Sequence, residues 1–189
     1  MNKSGPEKPD FTETTLTSKS VYQGNFFEVR EDQVRLPDGN SAIREHITHP
    51  GAVVVIAVLA DGKLVMERQY RYPLREHFYE LPAGKLHPGE DPLECAQREL
   101  REETGYVAQE WRYLGATYPC IGYSNEKQLF YIARGLSLHE RKLDDGEFLQ
   151  VLTLDLPTLL AWVREGKITD GKTLNGLFLY QQAGGWIDK

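Results

Sequence analysis

Glu99, Glu102 and Glu103 crowd three carboxylates into five consecutive residues of a stretch with helical patterning, Arg98-Glu99-Leu100-Arg101-Glu102-Glu103. At spacings of three and four they project from nearly one helix face. Like charges so placed cost roughly 0.2–0.5 kcal/mol per pair in an isolated helix. A helix that only had to pack would alternate Glu with Lys, whereas one that holds a hard divalent cation needs carboxylate oxygens converging on a point. The plainer alternative is a solvated acidic helix with Arg98 and Arg101 as surface partners.

The surrounding residues favour the first reading. Asp91 can cap the helix, and Pro92 then takes the first helical position, where a missing N–H costs nothing. Leu93, Ala96 and Leu100 form a narrow apolar stripe, and Gly105 supplies a left-handed stop. The helix therefore has a core face and a separate carboxylate face. Gly84 and Gly89 bracket a tight loop before it, where backbone can approach an ion or a phosphate closely. Clustered carboxylates without a His/Cys set favour Mg2+ or Mn2+ over zinc. None of the five histidines shows a metal-ligand spacing. Such a site can hold a pyrophosphate, spread developing negative charge and acidify an attacking water.

The run from Gly84 to Glu90, followed by Arg98-Glu99-Leu100-x-Glu102-Glu103-x-Gly105 and a final hydrophobic residue, resembles the Nudix hydrolase signature at every fixed position. Tyr106 stands where that family usually carries an aliphatic residue. Further stretches resemble its ADP-ribose pyrophosphatase (nucleoside diphosphate sugar hydrolase) branch: Arg68-Gln69-Tyr70-Arg71, Glu80-Leu81-Pro82-Ala83-Gly84 and Glu165-Gly-Lys-Ile-Thr-Asp170. The resemblance covers Val21 to Gln182. It implies a metal-dependent pyrophosphohydrolase that cleaves a nucleoside diphosphate sugar, ADP-ribose first, to AMP and ribose 5-phosphate. The Ala83 carbonyl, Glu99 and Glu103 would ligate Mg2+ or Mn2+. Glu102 would be a further ligand or would orient Arg98.

Water activation needs a general base within hydrogen-bond reach. In Leu143-Asp144-Asp145-Gly146-Glu147-Phe148, Glu147 matches the loop glutamate of the branch, with Asp145 as a second candidate and a solvated acidic turn as the plain alternative. Arg98, Glu102 and Glu147 are thus the expected catalytic set. Arg71 sits where the branch places a phosphate-binding arginine, and Arg44 resembles another; a surface arginine over the sheet edge is the alternative for Arg71. Phe26 and Phe27 suit a nucleobase face, a core or a dimer interface equally. Glu126 or Tyr123 would face the terminal ribose. ADP-ribose-preferring members commonly carry a proline sixteen residues beyond the signature, and this chain has Gly122 there. The rival function is a non-catalytic Nudix-fold module that senses a nucleotide sugar; it has no need of the full glutamate set, which this chain keeps.

At 189 residues the chain suits one domain of ordinary size, or one domain with a small appendage, and its net charge of −6 argues against a nucleic-acid backbone or an anionic membrane as the main partner. Cys95 and Cys120 do not make a disulfide framework, so a reducing compartment is expected. The start lacks an apolar signal segment, and the run Ala52 to Ala60 is too short to span a bilayer. A cytoplasmic protein is expected. The fold class is α/β, an α/β/α sandwich around a mixed sheet. Residues 1–18 read as a flexible tail, 19–50 as a small antiparallel β unit, and 51–189 as the Nudix domain. In the β unit Val21 to Leu36 and Ser41 to His49 form strands around the turn Pro37-Asp38-Gly39-Asn40. That unit is too small to bury Phe26, Phe27, Val29 and Val34. In the branch it pairs across a homodimer and completes the partner's site.

Overall fold

The structure is a computed structural model that describes residues 9–143 and 145–184. It divides into two compact units. One holds the described residues up to His49 together with Cys120–Asn125; the other holds Pro50–Pro119 and the described residues from Glu126 onward.

The first unit is an antiparallel meander of β1 (Thr14–Gln23), β2 (Glu28–Arg35) and β3 (Ser41–Thr48). It has three strands where the sequence suggested two. Thr14 to Ser18, expected in the tail, belong to β1 and run along β2 instead; Thr14-Thr15-Leu16-Thr17-Ser18 is a mostly polar strand whose single Leu gives no apolar pattern. A turn closed by the Gly24 amide donating to the Phe27 carbonyl (2.9 Å) splits the expected first strand. The second turn is tied by the Asp38 carboxylate, which accepts from the Asn40 amide (2.9 Å). Segment Cys120–Asn125 fastens to β3, its Tyr123 carbonyl accepting from the Ile47 amide (2.8 Å) and its Asn125 amide donating to the Ile47 carbonyl (3.2 Å). Val34 is only 5 % exposed, so the expectation that it lacks cover is corrected. Phe26 (47 %) and Ile43 (53 %) do remain open.

The second unit comprises β4 (Ala52–Ala57), β5 (Leu64–Arg71), β6 (Glu76–Glu80), β7 (Ala83–Lys85), α1 (Pro92–Thr104), β8 (Tyr106–Val107), β9 (Glu110–Thr117), β10 (Gln128–Arg134), β11 (Ser137–Leu138), β12 (Leu149–Leu154), α2 (Leu156–Arg164) and α3 (Gly171–Gln182). One sheet runs β7-β4-β10-β9, with β4 and β10 parallel and the other pairs antiparallel. A second runs β12-β5-β6, all antiparallel, and β11 pairs with β8. The pairs β8 and β11 are too short to leave a periodic signal.

Alternation along β4 feeds two cores. Val54 and Ile56 join Leu64, Met66, Phe130, Leu159 and Leu177, where α2 and α3 pack. Val53, Val55 and Ala57 join Val65, Cys95, Ala96 and Leu100, where α1 packs. The expected α/β/α sandwich with a mixed sheet is the observed one. Both closing helices begin at an aspartate: the Asp155 carboxylate accepts from the Thr158 amide (2.7 Å), and that of Asp170 from the Thr173 amide (3.0 Å). Among the described residues no helix is long and apolar enough to cross a membrane.

Candidate active site

Local rules build α1. The Asp91 carboxylate accepts from the amides of Leu93 (2.9 Å) and Glu94 (3.2 Å), and Pro92 opens the helix. Gly105 closes it at φ +77°, and a Cβ there would lie 2.7 Å from the His139 carbonyl oxygen, so only glycine fits. The buried stripe consists of Cys95, Ala96 and Leu100. Leu93, expected in it, is half-buried.

The strand β7 brings backbone against the acids. The Ala83 amide donates to Glu103 Oε2 (3.0 Å), and Glu103 is 4 % exposed. Glu99 lies directly on Gly84, where an added Cβ would stand 1.8 Å from the Glu99 carboxyl carbon. Arg98 then gathers the remaining charges. Its Nε donates to Glu90 Oε1 (2.8 Å), and its terminal nitrogens reach Glu90 Oε2 (3.1 Å), Glu99 Oε1 (2.8 Å) and Glu102 Oε2 (3.0 Å). The Arg98 guanidinium holds the Glu90 carboxyl down at about 2. Arg98 thus pins the Gly-bracketed loop to the helix and sets two of the signature glutamates. Glu102 and Arg98 are therefore in contact, one turn apart on α1.

Glu67, on β5, was not foreseen from the sequence. It is 2 % exposed, and its Oε1 takes no hydrogen bond. Burial, then the charges of Glu80 and Glu147, pushes its carboxyl up to about 8. Glu103 is likewise raised well above the ordinary carboxylate range, by burial first and then by Glu67, Glu99 and Glu147. Burial raises Glu99 too, against the opposing pull of Arg98. A signal existed: in β5 the buried run Leu64-Val65-Met66 continues into Glu67, an acid where a doubly covered strand calls for an apolar residue.

Glu147 comes to the same cluster from the loop before β12. Gln69, on the same face of β5 as Glu67, donates to Glu147 Oε1 at 3.4 Å. Asp145, the second candidate base, is exposed, and Asp144 lies outside the described residues. Arg71, again on that face, forks onto Glu80 (2.7 and 2.6 Å). Glu80 also binds Lys172, which bridges on to Asp170 (3.0 Å). The structure therefore brings together Ala83, Arg98, Glu99, Glu102, Glu103, Glu147 and Arg71, and adds Glu67. Glu126 stands just before β10 and accepts from Gln128 Nε2 (3.0 Å). Arg44 and Phe27 belong to the first unit. There Arg44 pairs with Glu13 (2.8 and 2.5 Å), and Phe27 packs its ring against Phe26 (5.1 Å) and Tyr22 (5.8 Å).

An oxygen-only cluster with raised proton affinity and an orphaned buried carboxylate oxygen fits a hard divalent cation. Among the described residues no three His, Cys, Asp or Glu side chains already stand in ready ligand geometry; Glu99 leans on Arg98 and Glu103 on the Ala83 amide. A cavity of about 790 Å³ lies elsewhere around α1, lined by Glu94, Arg101, Trp111, Arg141 and Lys142 and meeting this cluster only at Arg98 and Glu102.

The raised carboxyls make the cation-free protein sensitive to alkali. Glu67 binds its proton more tightly folded than unfolded, so this contribution is complete below the ordinary value of 4.5 and is lost as pH rises through about 8. In chelator, the melting temperature should therefore fall as pH rises across that window. Full ionisation would cost on the order of 5 kcal/mol, and Glu67→Gln should flatten the profile. Parallel profiles for parent and variant would contradict this.

The comparisons with known proteins agree with the geometry. Residues 48–171 match the NUDIX domain, and residues 13–47 match the nucleoside diphosphate sugar hydrolase N-terminal domain. The chain belongs to the Nudix hydrolase family. It is 42 % identical over 168 residues to the methanol dehydrogenase activator of Bacillus methanolicus, covering 87 % of this chain and 90 % of that one. It is 39 % identical over 163 residues to the ADP-ribose pyrophosphatase of Bacillus subtilis (strain 168), covering 85 % and 88 %. The crystal structure of an ADP compounds hydrolase shares the fold, with a TM-score of 0.82 at 22 % identity over 93 % of this chain and 96 % of that one. Hydrolases of this family use divalent metal ions.

Proposed function

We propose that this Nudix hydrolase is a Mg2+-dependent pyrophosphohydrolase of nucleoside diphosphate sugars, with ADP-ribose the first candidate and AMP and ribose 5-phosphate its products. The observation that carries this reading is the convergence of Glu67 from β5, Glu99 from α1 and Glu147 from the loop before β12 on the buried Glu103, which feels the charge of all three. The match of residues 13–47 to the N-terminal domain of nucleoside diphosphate sugar hydrolases supports the substrate class. So does the name of the Bacillus subtilis relative.

The Ala83 carbonyl, Glu99 and Glu103 would hold Mg2+, or Mn2+, which would offset phosphate charge and acidify the attacking water. Glu147 takes the proton from that water, its carboxylate steadied by Gln69. Arg98 keeps Glu99 and Glu102 in place. Arg71, braced from behind by Glu80, presents its remaining N–H groups to a phosphate. Arg44 and Phe27 are proposed to contact the nucleotide, and Glu126 the terminal ribose. Cys95 and Cys120 are free thiols, which suits a cytoplasmic setting.

A second reading, a nucleotide-sugar-sensing module without turnover, draws on the Bacillus methanolicus relative, which is named an activator. One assay separates the two. A panel of nucleoside diphosphate compounds is incubated with the protein and Mg2+, products are resolved by chromatography, and 18O-water locates the attacked phosphorus. ADP-ribose should yield AMP and ribose 5-phosphate. Tight binding without products would favour the sensor, and faster turnover of another nucleoside diphosphate sugar would move the substrate assignment to it, as Gly122 in place of the proline allows.

The first unit is proposed to mediate a homodimer, with Phe26 and Ile43 among the residues it would cover. A subunit lacking Arg44 and one lacking Glu103, each poor alone, should then recover part of the activity when co-assembled. Monomeric light scattering at micromolar concentration would rule out the dimer. A dimer without rescue would show that each site is built within one chain.

A further inference from the structure

We propose that Glu67 is a further oxygen donor to the cation site, supplied by the sheet and not by the signature helix. The proposal rests on the cation-binding reading above and adds a residue to it. Glu67 follows Leu64, Val65 and Met66, all with no exposed surface, and is itself 2 % exposed. It shares the face of β5 with Val65, which packs in the core that also takes Cys95, Ala96 and Leu100 of α1. Its carboxylate is therefore directed to the helix that carries Glu99 and Glu103.

The other buried acid of this sheet shows what a purely structural carboxylate looks like. Glu80 is the direct cross-strand partner of Glu67. It is 2 % exposed as well, yet it is neutralised twice, by the Arg71 fork and by Lys172. The charges of Lys172 and Arg71 reach Glu67 only at a distance, for among the described residues it makes no ion pair with either, and its Oε1 accepts no hydrogen bond. Removing a carboxylate from water without a partner is expensive, so an apolar residue would serve the fold better here. What the position offers instead is a pre-dehydrated oxygen, in the same acid cluster as Glu103 and Glu147, for a cation whose preferred ligands are oxygens. A donor held in a strand by packing also loses little freedom on binding.

The test reads cation binding and not turnover. Mn2+ is titrated into the full-length protein without nucleotide, and free Mn2+ is followed by electron paramagnetic resonance, for the parent, Glu67→Gln and Glu99→Gln. Glu67→Gln should weaken Mn2+ binding by about tenfold or more while its cation-free form melts no lower than the parent. Glu67→Asp should recover part of the affinity. Mn2+ binding by Glu67→Gln at parental affinity, with Glu99→Gln impaired, overturns the role of Glu67 and leaves the cation site standing. A parent that binds no Mn2+ overturns the underlying reading. If Glu67→Gln fails to fold, Glu67→Leu is measured in its place; failure of both makes the carboxylate a folding requirement and overturns the proposal.

Discussion

Glu103→Gln should lower turnover by at least about a hundredfold while leaving the fold intact. Glu103 is buried in α1, and its Oε2 accepts from the Ala83 amide at 3.0 Å. An amide oxygen can accept that same hydrogen bond, so the helix and β7 keep their contact. What disappears is the negative charge. In the cation-free protein that charge is a liability, because burial and the neighbouring Glu67, Glu99 and Glu147 all oppose it. The variant should therefore melt slightly higher than the parent in chelator at neutral pH, and gain less from added Mg2+. Steady-state kinetics and paired melts with and without Mg2+ check both halves. A variant that melts well below the parent yet keeps near-parental activity per folded molecule would show that Glu103 serves packing and not a cation.

Gly84→Ala should be nearly as damaging to activity by a different route. A Cβ at Gly84 would stand 1.8 Å from the Glu99 carboxyl carbon and 1.9 Å from its Oε1. Those atoms are the end of a flexible side chain, and Gly84 does not occupy the left-handed region, so the backbone need not move. Glu99 must swing away instead, releasing its contact with Arg98 and leaving the position it shares with the Ala83–Glu103 pair. The expected result is a loss of about a hundredfold in kcat/KM with a melting temperature close to that of the parent. Gly105→Ala is the informative contrast. There φ is +77° and the obstacle is the His139 carbonyl oxygen at 2.7 Å, which is backbone. That variant should lose about 1–3 kcal/mol of stability, visible in denaturant unfolding, because neither the strain nor the clash can be relieved by a rotamer change. Equal destabilisation by the two substitutions would show that Gly84 is also a backbone requirement.

The helix that carries the site was legible because its signals are local. Asp91, Pro92 and Gly105 act on neighbouring amides and carbonyls within a turn of themselves, and the structure uses all of them as read. The Arg98–Glu102 pair is also a same-helix, one-turn contact. The unbroken apolar run of β4 is the mark of a strand buried on both faces, and Asp155 and Asp170 stand at the starts of α2 and α3. Thr14 to Ser18 escaped notice because a polar strand is defined by its partner, not by its own hydrophobic pattern.

What the chain determined by itself is therefore the signature helix, its caps and the acids that α1 would present. The tertiary structure alone decided which charges meet. Register across β5 and β6 sets Glu67 opposite Glu80, and whether each is neutralised depends on Arg71 and on Lys172, the latter arriving from α3. Gly84 reads in sequence as a loop glycine, yet its place against Glu99 is set by the packing of β7 on α1. Capping and periodicity work over a few residues, whereas the ionisation of a carboxylate depends on every charge and every ångström of burial around it. Those neighbours come from segments dozens of residues apart, and only the folded chain brings them within range.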